Sequence, residues 1–326
     1  MRFLAIGALL ITVLVGGTIV AEEPYCQYNS TVYCNDFELG LWDGMEHEDD
    51  ATIITAGDPG QHVYRGNHAI EAVLDTDGTG AAFGYRFADH DEIYVRFAMR
   101  FDSVWDRPMH HFFAVHGDQT GDPWSCHGTA GCRPNGLLCL NGTTVDSREI
   151  VTGEIPGEPF FYSYFPDMSC DPGPICANYA DPQAICDQCA VRGLPCNSGL
   201  ECCWGNHFNP NQGTQLSMSQ DRWYEVETWV RATSGVGGAG QPAGEMSLWV
   251  DGDLIAHHTG MVWRHTNEIH LNHFIVWNYF PEATQSYRIW FDNLVISTTP
   301  IGSVDGMIFA DGFETSDTSR WSIGAP

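Results

Sequence analysis

Apolar and polar residues alternate with a period of two through much of this 326-residue chain, a rhythm that strands satisfy and helices do not. Outside the N-terminal segment no window carries a helical period. The clearest strands are expected at 93–101, 110–116, 223–231, 245–250, 268–278 and 287–297, with Gly, Asp and Asn between them. Asp251-Gly252 follows the fourth of these and is the dipeptide of a tight hairpin with positive φ. Many strands broken by frequent turn residues predict an all-β sandwich or barrel.

Successive side chains of a strand point to opposite faces, so the alternation also sorts the residues. Ile93, Val95, Phe97, Met99 and Phe101 form the inner face of their strand, which leaves Tyr94, Arg96 and Arg100 outside. Met109, Phe113 and Val115 are expected inside, with His110 and His116 opposite. Tyr224, Val226 and Val230 are expected inside, with Glu225, Glu227, Trp229 and Arg231 opposite. Leu248 and Val250 point inward and Trp249 away.

Between His116 and Trp223 the pattern gives way to a Cys-, Pro- and Gly-rich stretch that holds ten of the twelve cysteines. Bridges worth about 2–4 kcal/mol each can hold such a stretch without a core of its own. Residues 117–222 are therefore read as a long disulfide-rich loop insertion rising from one end of the sandwich. Cys26 and Cys34 are close enough to bridge the approach to the first strand. The Cys186-x-x-Cys189 spacing with Cys202-Cys203 is also a zinc pattern, but in an exported chain disulfides explain it first.

Export is expected from residues 1–21, where Arg2 precedes an apolar run and small residues lead to Ala21, the form of a signal peptide. No later segment is long and apolar enough to cross a bilayer, so a secreted or cell-surface location is expected. Residues 22–302 would then form the sandwich. The tail, 303–326, repeats the Phe-Glu, turn and Trp of the segment from Asn35 to Trp42, and resembles a short C-terminal motif of many secreted bacterial proteins. An export or retention tag and an extra edge strand both fit it. All 14 basic residues are arginine, against 42 acidic residues and a net charge of −28. Nucleic acid and anionic membranes are excluded as partners, because binding them rests on clustered cations. A salty medium, where self-repulsion is screened, suits such a surface, and a GC-rich genome would equally favour Arg over Lys.

Three segments resemble the concanavalin A-like jelly-roll superfamily, and within it the secreted polysaccharide-lyase-like proteins. They are YVRFAMRF from Tyr94 with the following Phe112 to Gly117, WYEVETWVR from Trp223, and LWVDG from Leu248 together with IWFDNLVIS from Ile289. The resemblance implies a two-sheet antiparallel jelly-roll sandwich with a concave sheet that binds a glycan. On that sheet Tyr94, Arg96, Arg100, His110, His116, Glu227 and Trp249 would line one groove. Aromatic faces there would stack on sugar rings while Arg, His and Glu bond hydroxyls and carboxylates.

The activity implied is β-elimination on a uronate-containing polysaccharide. Arg96 or Arg100 would neutralise the carboxylate, His116 would take the C5 proton, and Tyr94 or Tyr279 would protonate the leaving oxygen. Arg100, His110, Glu227 and Trp249 would bind substrate. Alginate-lyase signatures carry an Arg, a Gln-Ile-His triplet and a Tyr-rich strand; this chain offers Glu268-Ile-His270 and Tyr279-Phe280. A non-catalytic, lectin-like binding module needs only the groove and fits the residues as well. Glycoside hydrolysis by Glu225 and Glu227 is a third reading, but Val230 stands where the laminarinase-type members carry a further carboxylate. The resemblance further implies a structural calcium ion held by Asp292 on the last strand with Asp36 or Glu38 on the first.

Overall fold

The computed structural model describes residues 23–48, 50–76, 79–119, 131–150, 153–172, 189, 201–213, 215–232, 240–279, 283 and 285–303. The segment expected to be a signal peptide, 1–21, and the tail beyond 303 lie outside the described residues. Among the described residues, eighteen strands follow a 3-10 turn, Pro24–Gln27. They are β1 (Thr31–Asn35), β2 (Glu46–His47), β3 (Ala51–Thr55), β4 (His68–Leu74), β5 (Thr79–His90), β6 (Glu92–Phe101), β7 (Phe113–Asp118), β8 (Cys139–Arg148) and β9 (Pro156–Ser163). Then come β10 (Asp171–Pro172), β11 (Glu201–Cys202), β12 (Asn206–Phe208), β13 (Met218–Ser219), β14 (Trp223–Arg231), β15 (Gly244–Val250), β16 (Asp253–Met261), β17 (Leu271–Tyr279) and β18 (Tyr287–Ser297).

All pairings are antiparallel, and they build two layers. The first sheet runs β3-β4-β18-β6-β14-β15-β16, with β1 also on β18. The second runs β12-β9-β8-β7-β17-β5, with β2 on β5 and β13 on β9. They meet at the single β4–β5 pair, Leu74 opposite Gly80. This is the jelly-roll sandwich the sequence led us to expect. The expected hairpin joins β15 to β16, with Asp251 and Gly252 at φ 51° and 83°.

The inner faces carry the apolar sets that alternation assigned. Ile93, Val95, Phe97, Met99 and Phe101 of β6, Tyr224, Val226 and Val230 of β14, and Leu248 and Val250 of β15 are all buried in one core. Phe97 joins the layers: its ring centroid lies 4.9 Å from Phe113, 5.6 Å from Phe274 and 5.8 Å from Phe291. Phe113 and Phe274 belong to the second sheet and Phe291 to the first, so this one side chain packs against both.

Residues 117–222 are more than an inserted loop. They contribute β8, β9, β12 and β13 to the second sheet, with Leu140, Val145 and Phe161 fully buried in the core. The high density of Cys, Pro and Gly masked an alternating aromatic run, FFYSYF from Phe160, that pairs with β8 and β12. Disulfides join Cys26 to Cys34, Cys132 to Cys189 and Cys170 to Cys203. Cys189 and Cys203 therefore belong to different bridges, which removes the zinc pattern.

Phe97→Ala is expected to lower the unfolding free energy by about 3–5 kcal/mol, because a ring wedged between two sheets leaves a cavity that neither can fill alone. Urea denaturation of the two proteins measures it.

Candidate functional site

The residues expected in one groove divide between two outer faces. Tyr94, Arg96, Arg100, Glu227 and Trp249 stand on the first sheet, whereas His116 stands on β7 of the second and His110 just before it. The first group is also committed to the protein's own chain. Arg96, 2% exposed, pairs with Glu23 at 2.5 Å and donates to the Gly302 carbonyl at 2.7 Å, and its guanidinium lies 4.5 Å from the Tyr25 ring centroid. Glu227 accepts from the Ile301 and Gly302 amides at 3.0 and 2.7 Å, and Glu225 accepts from the Ser303 hydroxyl.

This face thus clamps both ends of the described chain. Burial pushes the Glu227 carboxyl up, against the pull of those two amides and of Arg96. Tyr94 packs against Trp229, Val295 and Ile301, and Arg100 pairs with Asp221 at 2.8 Å. The space left between Arg96, Glu225, Glu227, Trp249 and Gly302 is about 150 Å³, too small for the 300 Å³ or more typical of a ligand pocket. Neither the carboxylate neutraliser nor the Tyr94 acid is placed where His116 could work with it.

The carboxylates expected to hold calcium are turned onto backbone amides. Asp292 is fully buried and accepts from the amides of Tyr64, Arg65 and Asn293 at 3.0, 3.1 and 2.8 Å. Burial nonetheless pushes its carboxyl up to about 8. Glu38 accepts from the amides of Asn67 and His68, and Asp36 from those of Glu23 and Glu38. These bonds tie the 62–68 segment and the chain start to the end of the sandwich.

The outer face of the second sheet has a different character. It is buried and polar, which an apolar core never requires and which costs free energy unless the groups bond one another. At its centre His116 on β7 faces His273 on β17, Nε2 to Nδ1 at 2.8 Å, both fully buried. The neighbouring position on β5 is Gly84, where a Cβ would lie 2.6 Å from the Phe274 carbonyl and 3.1 Å from His273 Nε2. Glycine is thus required beside the imidazole. Arg86 pairs with Asp118 at 3.0 Å, and Asn272 bonds Asp118 and Asp89.

At the start of β7 and on β8 beside it, the same face gathers a second cluster. Asp146 on β8 bonds His110 Nδ1 at 2.7 Å, and its other oxygen meets both the amide and Nδ1 of His111, at 2.7 and 3.0 Å. His111 has φ 62°, a left-handed conformation uncommon outside glycine, and that turn brings its amide and ring onto one carboxylate. The imidazoles stack at 3.8 Å. Tyr162 of β9 packs against both at 5.5 and 5.4 Å, Trp277 lies 5.6 Å from His111, and His207 lies 5.4 Å from Tyr162. Tyr162 and Tyr164 hydroxyls are 3.4 Å apart. The two imidazoles hold Asp146 at about 2 despite its burial, whereas burial lowers His111. Burial pushes the Tyr164 phenol up, so it stays protonated.

His116 and His110 are thus the expected site residues that reach this face. Tyr279 belongs to β17, and its side chain lies outside the described residues. His111, Asp146, Tyr162, Tyr164 and His273 were not foreseen. Only the aromatic alternation from Phe160 could have signalled the tyrosines.

No protein-family model and no curated protein sequence matches the chain. Solved structures do. Alginate lyase vAL-1 from Chlorella virus is 16% identical with a TM-score of 0.51, the match covering 82% of this chain and 100% of that one. The marine PL-14 alginate lyase from Aplysia kurodai is 14% identical with a TM-score of 0.53, over 82% of this chain and 99% of that one. The likeness is one of fold: the chain shares the jelly-roll sandwich of these two alginate lyases.

Arg96→Ala is expected to cost about 3–5 kcal/mol of stability, because Glu23 would remain buried without its cation. The Glu23→Ala, Arg96→Ala double variant is expected to recover part of that loss in the same denaturation experiment.

Proposed function

We propose that the protein is a secreted polysaccharide lyase that cleaves a uronate-containing glycan along the outer face of the second sheet. One observation carries this: a buried polar surface where imidazoles and phenols sit in hydrogen-bond or ring contact, on a fold used by alginate lyases. Buried titratable groups of this kind are what acid–base chemistry needs and what packing alone avoids.

The reaction removes the C5 proton of the uronate, forms the C4–C5 double bond as the C4–oxygen bond breaks, and returns a proton to the departing oxygen. His116 is the acceptor, oriented by His273, and because both imidazoles are fully buried the face has to open where the glycan seats. Tyr162 is the donor, with the Tyr164 hydroxyl beside it to replace the proton. Trp277 and His207 supply flat faces for sugar rings. This assignment keeps His116, the base first expected, and exchanges the acid, Tyr94 or Tyr279, for Tyr162.

Incubation with a panel of uronate polymers, followed by ultraviolet absorbance of the unsaturated product, tests the reading. His116→Ala and Tyr162→Phe are each expected to lower the rate by about 10²–10⁴-fold. Retention of a glycan with no absorbance change from the wild type would make the protein a binding module instead.

A structural calcium ion at the end of the sandwich is a separate proposal: Asp36, Glu38 and Asp292 are oxygen donors of the right kind, and the ion would have to displace the backbone amides they now accept from. Excess chelator is expected to lower the melting temperature; an unchanged value rejects the ion.

A further inference from the structure

We propose that His110, His111 and Asp146 form a binding site for one divalent cation of the zinc type, on the outer face of the second sheet beside Tyr162. Among the described residues this is the group of three His, Cys, Asp or Glu side chains whose ligand atoms all lie within 4.8 Å of one another. Two imidazoles and a carboxylate are the donor set of an open zinc site, with further positions left for water or substrate. The two imidazole–carboxylate distances, 2.7 and 3.0 Å, need only a few tenths of an ångström of opening. The edges of a tetrahedron around zinc are about 3.3 Å, given metal–ligand bonds of about 2.0–2.1 Å. His110 is 39% exposed and His111 17%, so an ion can enter past His110, while Asp146 at 4% anchors the site from the sheet.

The placement suggests a use, and this part rests on the lyase reading. Elimination requires a cation against the uronate carboxylate, and the arginines carried by the second sheet's strands are Arg86 and Arg148. Arg86 pairs with Asp118 and Arg148 with Glu158, at 3.0 and 2.5 Å. A cation at His110, His111 and Asp146 would hold the carboxylate of a sugar seated against Tyr162. It would also offset the acidic surface that otherwise repels a polyanion.

The test is calorimetric titration of the chelator-stripped protein with Zn²⁺, and absorbance titration with Co²⁺. One ion per chain is expected, with His110→Ala and His111→Ala each weakening binding by about 100-fold and Asp146→Asn giving a similar loss. Melting temperatures of the variants control for folding, and His110, the most exposed of the three, gives the variant least able to disturb it. No saturable binding by the wild type, or wild-type affinity in both histidine variants, overturns the site. Uronate cleavage that persists undiminished after stripping overturns the assigned use and leaves the lyase reading intact. Stoichiometric, His110-dependent binding by a protein that cleaves no uronate polymer supports the site and removes the lyase reading.

Discussion

Face-to-face packing of two twisted sheets through the Phe97 cluster is the constraint from which the rest follows. Because Phe97 touches Phe113 and Phe274 on one layer and Phe291 on the other, neither sheet can shift without opening the core. Packing the inner faces leaves two outer faces for polar side chains, and the protein uses them differently.

The first outer face holds the chain together. Glu23 and the 301–303 segment are almost the whole chain apart in sequence, yet both are bound by neighbours on β6 and β14, where Arg96 stands opposite Glu227. A guanidinium 2% exposed, with a carboxylate, a carbonyl and an aromatic ring around it, is closed off from a glycan. In a chain with 14 arginines and 42 carboxylates, such commitments leave little free positive charge. The second outer face answers chemistry instead, with histidines and tyrosines whose proton affinities are set by burial and by Asp146.

Much of the sandwich was legible residue by residue. The strand later seen at Tyr287–Ser297 and the inward sets of β6, β14 and β15 follow from side chains that alternate between oil and water. The candidate site was legible only in part. His116 and His110 were recognised, but Asp146, Tyr162 and Tyr164 sit where cysteines, prolines and glycines interrupt the pattern, and His273 is 157 residues from the imidazole it meets. Arg96 looked like a catalytic cation because nothing local announces the Glu23 partner, 73 residues earlier.

Alternation in the sequence determined which side chains of each strand face the core, since a pleated strand turns every second residue the same way. It also determined the all-β class and the Cys26–Cys34 bridge, both of which depend on near neighbours. Which sheet each strand joins was decided only by tertiary structure, because hydrogen-bonded pairing is made between distant segments and a period of two is the same in either layer. That decision placed Arg96 and Trp249 on one surface and His116 on another, and so moved the candidate site from the sheet that binds Glu23 and residues 301–303 to the sheet that carries the imidazoles and phenols.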